Sequence, residues 1–155
     1  MNANTKLISV PGHWDITYNY SAGVIGSEFL RRLRDEQRIS GRKCPKCARV
    51  LLPARGFCDR CFVDTTEWVD AGESGTIEVF TITTDAFLGL PEPPYAIAYV
   101  LLKGASTAMV NFVRNVDLSD IERGAERLAI GNRVRVVWEP QRHGRITDFY
   151  YELES

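Results

Sequence analysis

Apolar and polar positions follow different rhythms along this chain of 155 residues. Residues 1–20 keep no sustained period: Pro11-Gly12 interrupts them, and Trp14, Tyr18 and Tyr20 stand close together. From about Ala22 to Gln37, Ile25, Phe29, Leu30 and Leu33 recur at helical spacing, with Arg31, Arg32, Arg34 and Asp35 mostly on the other side. That predicts an amphipathic helix, punctuated by Gly41. Residues 42–63 are short, cysteine-rich and turn-rich, too small for a hydrophobic core of their own. Beyond Thr66 the pattern changes to strands. Thr76–Thr84, Tyr95–Leu102 and Thr107–Val113 are rich in β-branched and apolar residues, and Lys103-Gly104-Ala105 supplies a tight connection between the last two. A short helical stretch, Asp117–Glu126, is expected to be capped by Asp117 or Ser119. Strands then follow at Arg133–Glu139 and Arg145–Leu153, joined across Arg142-His143-Gly144. Leu88–Pro94 holds three prolines, too many for a central strand. Five strands with a short helix between the third and fourth is the order of a small OB-type Greek-key barrel. The expected fold is mainly β: an arm and helix over 1–40, a small cysteine module over 41–65, and a barrel over 66–155.

Composition agrees with a folded chain. Hydrophobic residues make up 45% and charged residues 25%, enough for a real core and against wholesale disorder. No stretch approaches the roughly 18–20 apolar residues of a membrane-spanning helix. Met1–Pro11 lacks the basic start and apolar run of a secretory signal, so a cytoplasmic setting is expected.

The formal net charge of −1 hides two opposite blocks. Residues 31–60 carry ten basic and three acidic side chains, a local excess of +7. Residues 64–155 carry eight basic and fifteen acidic ones, or −7. All four cysteines lie in or directly beside the basic block. Most charge runs are solvated faces, but this coincidence marks the segment as a candidate site.

Cys44-Pro-Lys-Cys47 and Cys58-Asp-Arg-Cys61 form a C-x2-C-x10-C-x2-C pattern. Each two-residue spacer lets a cysteine pair share one ion, and four thiolates suit tetrahedral zinc. Four thiolates on a divalent ion leave a formal −2, which Lys43, Lys46, Arg49 and Arg60 are placed to offset. Iron uses the same ligands, so spacing leaves both metals open. Two disulfides require an oxidising compartment, and a redox C-x-x-C pair requires a βαβ context the chain lacks. With all four cysteines engaged no coordination position stays open for catalysis, and the expected role of the ion is to fold residues 42–63.

Elsewhere the chain lacks G-x-S-x-G, H-E-x-x-H, P-loop and dinucleotide-binding motifs. Its two histidines, His13 and His143, fall in an irregular segment and a turn. Nothing brings a nucleophile together with a base and an oxyanion site, so the chain reads as non-catalytic by itself.

An ordered set of motifs points further. Phe29-Leu-Arg-Arg-Leu33 precedes Gly41-Arg-Lys-Cys44-Pro-Lys-Cys47, Leu52-Pro-Ala-Arg55, Cys58-Asp-Arg-Cys61 and Glu67-Trp68. Gly75-Thr76-Ile77, Pro93-Pro94-Tyr95 and Ile130-Gly131-Asn132-Arg133-Val134 follow in order. Over about residues 14–153 the chain resembles the zinc-ribbon/OB-fold family of acyl-CoA-associated accessory proteins. It departs at Ala48 and Phe62, where small ribbons often place glycine after the second cysteine of a knuckle. The resemblance implies a rubredoxin-like zinc ribbon and a subunit of a thiolase-type enzyme, a ketosteroid aldolase or an acyl-CoA hydratase. An aromatic-degradation thiolase, such as one acting on benzoylsuccinyl-CoA, is one such case. The larger partner would carry the catalytic residues, and this chain would scaffold it and help shape the CoA passage.

The basic block gives that implication a separate physical motive. Arg42, Lys43, Lys46, Arg49, Arg55 and Arg60 suit the phosphates of CoA, while Trp14, Tyr18, Tyr20 and Phe29 suit a partner interface. Packing of the first three aromatics on the helix is the competing expectation. Two other functions compete. A nucleic-acid binder could stack bases on Phe80, Tyr99, Phe112 or Trp138, but a phosphate-tracking barrel face ought to be basic, and this segment is acidic. A rubredoxin-like electron carrier would be coloured and redox-active.

Overall fold

The structure, a computed structural model, describes residues 8–14 and 16–154. Residues 8–14 and 16–22, an arm without regular secondary structure, precede helix α1 (Gly23–Arg31), whose last turn widens into a π-helical segment, Arg32–Glu36. Phe29 and Leu33 are buried, and Ile25 and Leu30 half-buried, so the predicted apolar stripe does face the core. The helix closes on Gln37 in the left-handed region (φ 51°).

The cysteine module is built from β1 (Ser40–Lys43), β2 (Val50–Leu51), β3 (Phe57–Cys58) and β4 (Val63–Asp64), followed by β5 (Glu67–Asp70). Strand β1 lies centrally, with β2 and β5 antiparallel on either side. Strands β3 and β4 form a separate hairpin.

The C-terminal part is a closed barrel of β6 (Ser74–Thr83), β7 (Tyr95–Leu102), β8 (Met109–Val113), β9 (Arg133–Trp138) and β10 (Phe149–Leu153). Around the barrel the order is β10–β8–β7–β6–β9, closed by antiparallel β9–β10 and parallel β8–β10 pairing. Helix α2 (Ile121–Arg127) fills the link between β8 and β9. This is the expected OB-type topology. Inward positions such as Ile77, Ala98, Val100, Met109, Val134, Phe149 and Tyr151 alternate with exposed ones, as a half-buried strand requires.

Several boundaries differ from expectation: the first barrel strand runs Ser74–Thr83 and the fourth ends at Trp138, and three other differences have a clear local reason. The last strand starts at Phe149, because Ile146–Asp148 forms a 3₁₀ turn. The Asp148 carboxylate there accepts backbone N–H bonds from His143, Gly144 and Arg145. Helix α2 is capped by Asp120, whose Oδ1 accepts from the Arg123 N–H. Asp117 instead accepts from the N–H and hydroxyl of Ser119, so neither residue caps the helix. The third strand starts two residues late, at Met109, because Ser106 and Thr107 reach away from the barrel.

Those two residues clamp the cysteine module. Val50 N–H donates to the Ser106 hydroxyl, and Ser106 N–H donates to the Val50 carbonyl. The Thr107 hydroxyl accepts from Leu52 N–H and donates to Leu52 C=O, both at 2.7 Å. Beside them a Cβ on Gly104 would come within 2.4 Å of the Asp70 carbonyl, so only glycine admits this approach. Phe29, Leu33, Ile39, Leu52 and Ala71 accordingly share one continuous core with the barrel. Each fully buried leucine or phenylalanine contributes about 1.5–3 kcal/mol.

Candidate metal centre

Two tight turns carry the four cysteines. In the first, Ala48 N–H bonds the Cys44 carbonyl, and Cys44 N–H bonds the Arg49 carbonyl. In the second, Phe62 N–H bonds the Cys58 carbonyl. Ala48 (φ 59°) and Phe62 (φ 54°) both take the left-handed conformation usually given to glycine. The knuckle geometry therefore survives the missing glycines, with strain at both positions.

The turns bring the four Sγ atoms within 4.8 Å of one another, with Cys47 and Cys58 at 3.8 Å. A tetrahedron with ion–sulfur bonds of about 2.3 Å has edges of about 3.8 Å. The donors fit one such ion and are too far apart for disulfides, whose sulfurs lie about 2.05 Å apart. All four cysteines are free thiols. Cys44 and Cys58 are fully buried, and Cys47 and Cys61 half-buried. Hydrogen bonding to Cys47, then desolvation and the neighbouring Cys44 and Cys58, push the Cys61 thiol up to about 12. A bound cation reverses that shift, because the thiolate is the ligand. Around the sulfurs, among the described residues, only Leu51 and Val63 add apolar packing, so the local core is too small to hold the module without cross-links.

The six basic residues of the expected anion contact divide into two groups. Lys43 pairs with Glu67 at 2.5 Å and Arg49 with Asp59 at 3.2 Å. Arg42 stacks 5.1 Å from the Trp68 ring centroid and donates to the Thr65 carbonyl at 2.6 Å. Arg32 lies over the same ring at 4.7 Å, so Trp68 is held by two guanidinium groups. Lys46, Arg55 and Arg60 are exposed and, among the described residues, form no ion pair. Lys46 and Arg60 hold equivalent places, each just before the second cysteine of its knuckle.

The aromatic residues divide too. Trp14, Tyr18 and Tyr20 are 84%, 71% and 82% exposed, so they do not pack on the helix. Phe29, grouped with them in the sequence, is only 3% exposed: it lies on the inward stripe of α1 and offers no face to a partner. On the barrel, Phe80 and Trp138 pack partly against the core, and Trp138 Nε1 donates to Glu73. Tyr99 stands out, flanked across the strands by Val79 and Val110 in an exposed apolar row. Nothing in the sequence singled out Ser106, Thr107 or Asp148, and Trp68 stood out only as part of the Glu67-Trp68 motif. Their importance arises from partners more than 20 residues away or from turn geometry, which no local pattern announces.

Residues 31–67 match the family model described as the rubredoxin-like zinc ribbon domain of ChsH2. Residues 68–139 match that of the ChsH2 C-terminal OB-fold domain. The chain belongs to the ChsH2-type zinc-ribbon/OB-fold family. One similar solved structure is a DUF35-family protein of unknown function from Sulfolobus solfataricus, with 20% identity and a TM-score of 0.62 over 85% of this chain and 87% of that one. Another is described as the Ltp2-ChsH2(DUF35) aldolase, with 19% identity and a TM-score of 0.58 over 82% of this chain and 91% of that one. At such identities the likeness is one of fold. No curated protein matches the chain significantly. Among the described residues no helix is long and apolar enough to cross a membrane.

Proposed function

We propose that this chain is a non-catalytic accessory subunit of a larger, thiolase-like enzyme acting on acyl-CoA substrates in the cytoplasm. The observation that carries the reading is the four-cysteine cluster: its thiolates fill a tetrahedral ion, so the metal, taken as zinc, folds the ribbon and activates nothing. The partner supplies the catalytic groups, as cleavage or condensation of a 3-oxoacyl-CoA needs a nucleophile and base that this chain does not assemble. Trp14, Tyr18 and Tyr20 meet that partner. Lys46, Arg55 and Arg60, exposed and, among the described residues, in no ion pair, are the cations available to CoA phosphates. The aldolase-associated fold neighbour supports an enzyme-bound role.

Co-expression with a thiolase-like protein encoded beside it tests the reading. The expected result is a stable hetero-oligomer with acyl-CoA activity that neither subunit shows alone. If neither a thiolase-like nor a hydratase-like protein binds, the reading is wrong. Tight, steeply salt-dependent binding of single-stranded DNA would replace it with a nucleic-acid function.

A further inference from the structure

The arm holds a pattern that its irregular beginning hides. From His13 to Tyr20, apolar or aromatic residues occupy the even positions Trp14, Ile16, Tyr18 and Tyr20, while His13, Asp15, Thr17 and Asn19 occupy the odd ones. Strict alternation in β-prone residues is the signature of a strand with one buried face. Yet residues 8–14 and 16–20 form no strand and make no backbone hydrogen bond to another described residue. The even-position side chains stand 60–84% exposed, and the Tyr18 and Tyr20 rings lie on the same side, 6.1 Å apart.

A strand-like segment without a neighbour needs an edge to join. Among the described residues the arm joins no edge of its own chain. The outer strands of the small sheets span two residues or, for β5, four, and the one longer run without a β9 partner, β6 beyond Ile77, has Ile82 beside Gly124 of α2. The three aromatic side chains bury about 450–750 Å², and with Ile16 the arm alone only approaches the roughly 800 Å² one partner contributes to a standard interface. The arm is therefore an extension of a larger contact rather than the basis of an arm-to-arm dimer.

We propose that residues 13–20 become a β-strand on docking, added to an open sheet edge of the larger subunit, with Trp14, Ile16, Tyr18 and Tyr20 on its buried face. Strand addition supplies affinity through main-chain bonds and specificity through alternate side chains. This deepens the accessory-subunit reading and rests on it.

Residue-resolved hydrogen exchange on the complex with the thiolase-like subunit tests it. In an added edge strand only alternate residues point their N–H at the neighbour. One alternate set among residues 13–20 should slow by on the order of tenfold or more, and the other should stay near the free rate. Tyr18→Ser should weaken association by on the order of tenfold or more, and Thr17→Ser by less than about twofold. Unchanged melting of both isolated variants verifies that they fold. A complex in which the arm exchanges freely, or in which both sets are protected alike, overturns strand addition and leaves the accessory role standing. Protection in the chain alone, rising with concentration, assigns the edge to a second copy and overturns the proposal. Failure of any complex to form overturns both.

Discussion

Replacing Asp148 with alanine should loosen the joint between barrel and helix. The carboxylate is 2% exposed and accepts three backbone N–H bonds, from His143 at 2.9 Å, Gly144 at 2.7 Å and Arg145 at 3.1 Å. The turn it holds packs on the helical segment: Arg142 Nε donates to the Arg34 carbonyl, and Gly144 faces the Leu30 carbonyl. A hydrogen bond to a charged group contributes about 1.5–3 kcal/mol, but these donors lie near the surface and regain water, which leaves about 1 kcal/mol each. The alanine variant should therefore lose about 3 kcal/mol, a large share of the 5–15 kcal/mol (roughly) that holds a domain. Asp148→Asn keeps one carbonyl oxygen, enough for Gly144 and Arg145, but turns an NH₂ toward His143. Its expected loss is about 1–2 kcal/mol. Urea titration followed by tryptophan fluorescence measures both. A loss below about 1 kcal/mol for alanine, or an asparagine variant no better than alanine, would refute the assignment of the carboxylate as a staple.

Three further outcomes are expected. Ala48→Gly relieves a left-handed alanine on an exposed turn and should stabilise the metal-bound protein by about 1 kcal/mol, read from the denaturation midpoint; a loss of stability contradicts the strain at this knuckle. Native mass spectrometry should find one divalent ion per chain, and chelation should abolish exchange protection in residues 42–65 before it affects β7 and β8; an unchanged ribbon after metal removal would show that packing alone holds it. Burial holds the Tyr151 phenol above its ordinary value of 10.0, with its hydroxyl on the Met109 carbonyl. The unfolded chain releases that proton first, so the contribution of Tyr151 to stability is constant below pH of about 10 and falls above it. Tyr151→Phe should remove that alkaline decline in a series of melts, at the cost of about 1 kcal/mol near neutral pH.

Period and spacing made the barrel and the metal ligands legible. The barrel strands stand where β-branched alternation placed them, because each must bury one face, and the four cysteines converge because a two-residue spacer permits little else. What stayed hidden depends on partners distant in sequence. Ser106 and Thr107 look like the ordinary start of a strand until Val50 and Leu52 arrive beside them. Phe29 looked like an interface residue beside Trp14 and Tyr18, but one helical stripe carries it into the core together with Leu33. The helical pattern, expected to about Gln37, ends one residue earlier at Glu36, and it could not announce the π widening, which changes the hydrogen bonding without moving the apolar stripe.

The opposed charge blocks also change meaning once β5 is in place. Glu67 and Asp70 belong to the acidic part by position, yet they lie on a strand paired with β1, where Glu67 meets Lys43 and Asp70 meets Arg38 at 3.5 Å. Glu28 likewise binds both Arg31 and Arg32 along the helix. Much of the basic excess is therefore neutralised within the ribbon and its neighbours, by pairs that are individually weak at the surface. The unpaired cations Lys46 and Arg60 flank the cysteine turns, where four thiolates and a divalent ion would leave a formal −2. Part of their charge is thus drawn toward the metal centre itself. Of the unpaired cations of the ribbon, Arg55 lies outside both knuckles and has no such obligation. A ligand phosphate would compete with the thiolates for Lys46 and Arg60 but not for Arg55, so Arg55→Ala should reduce anion affinity without changing metal retention, whereas Lys46→Ala should disturb both.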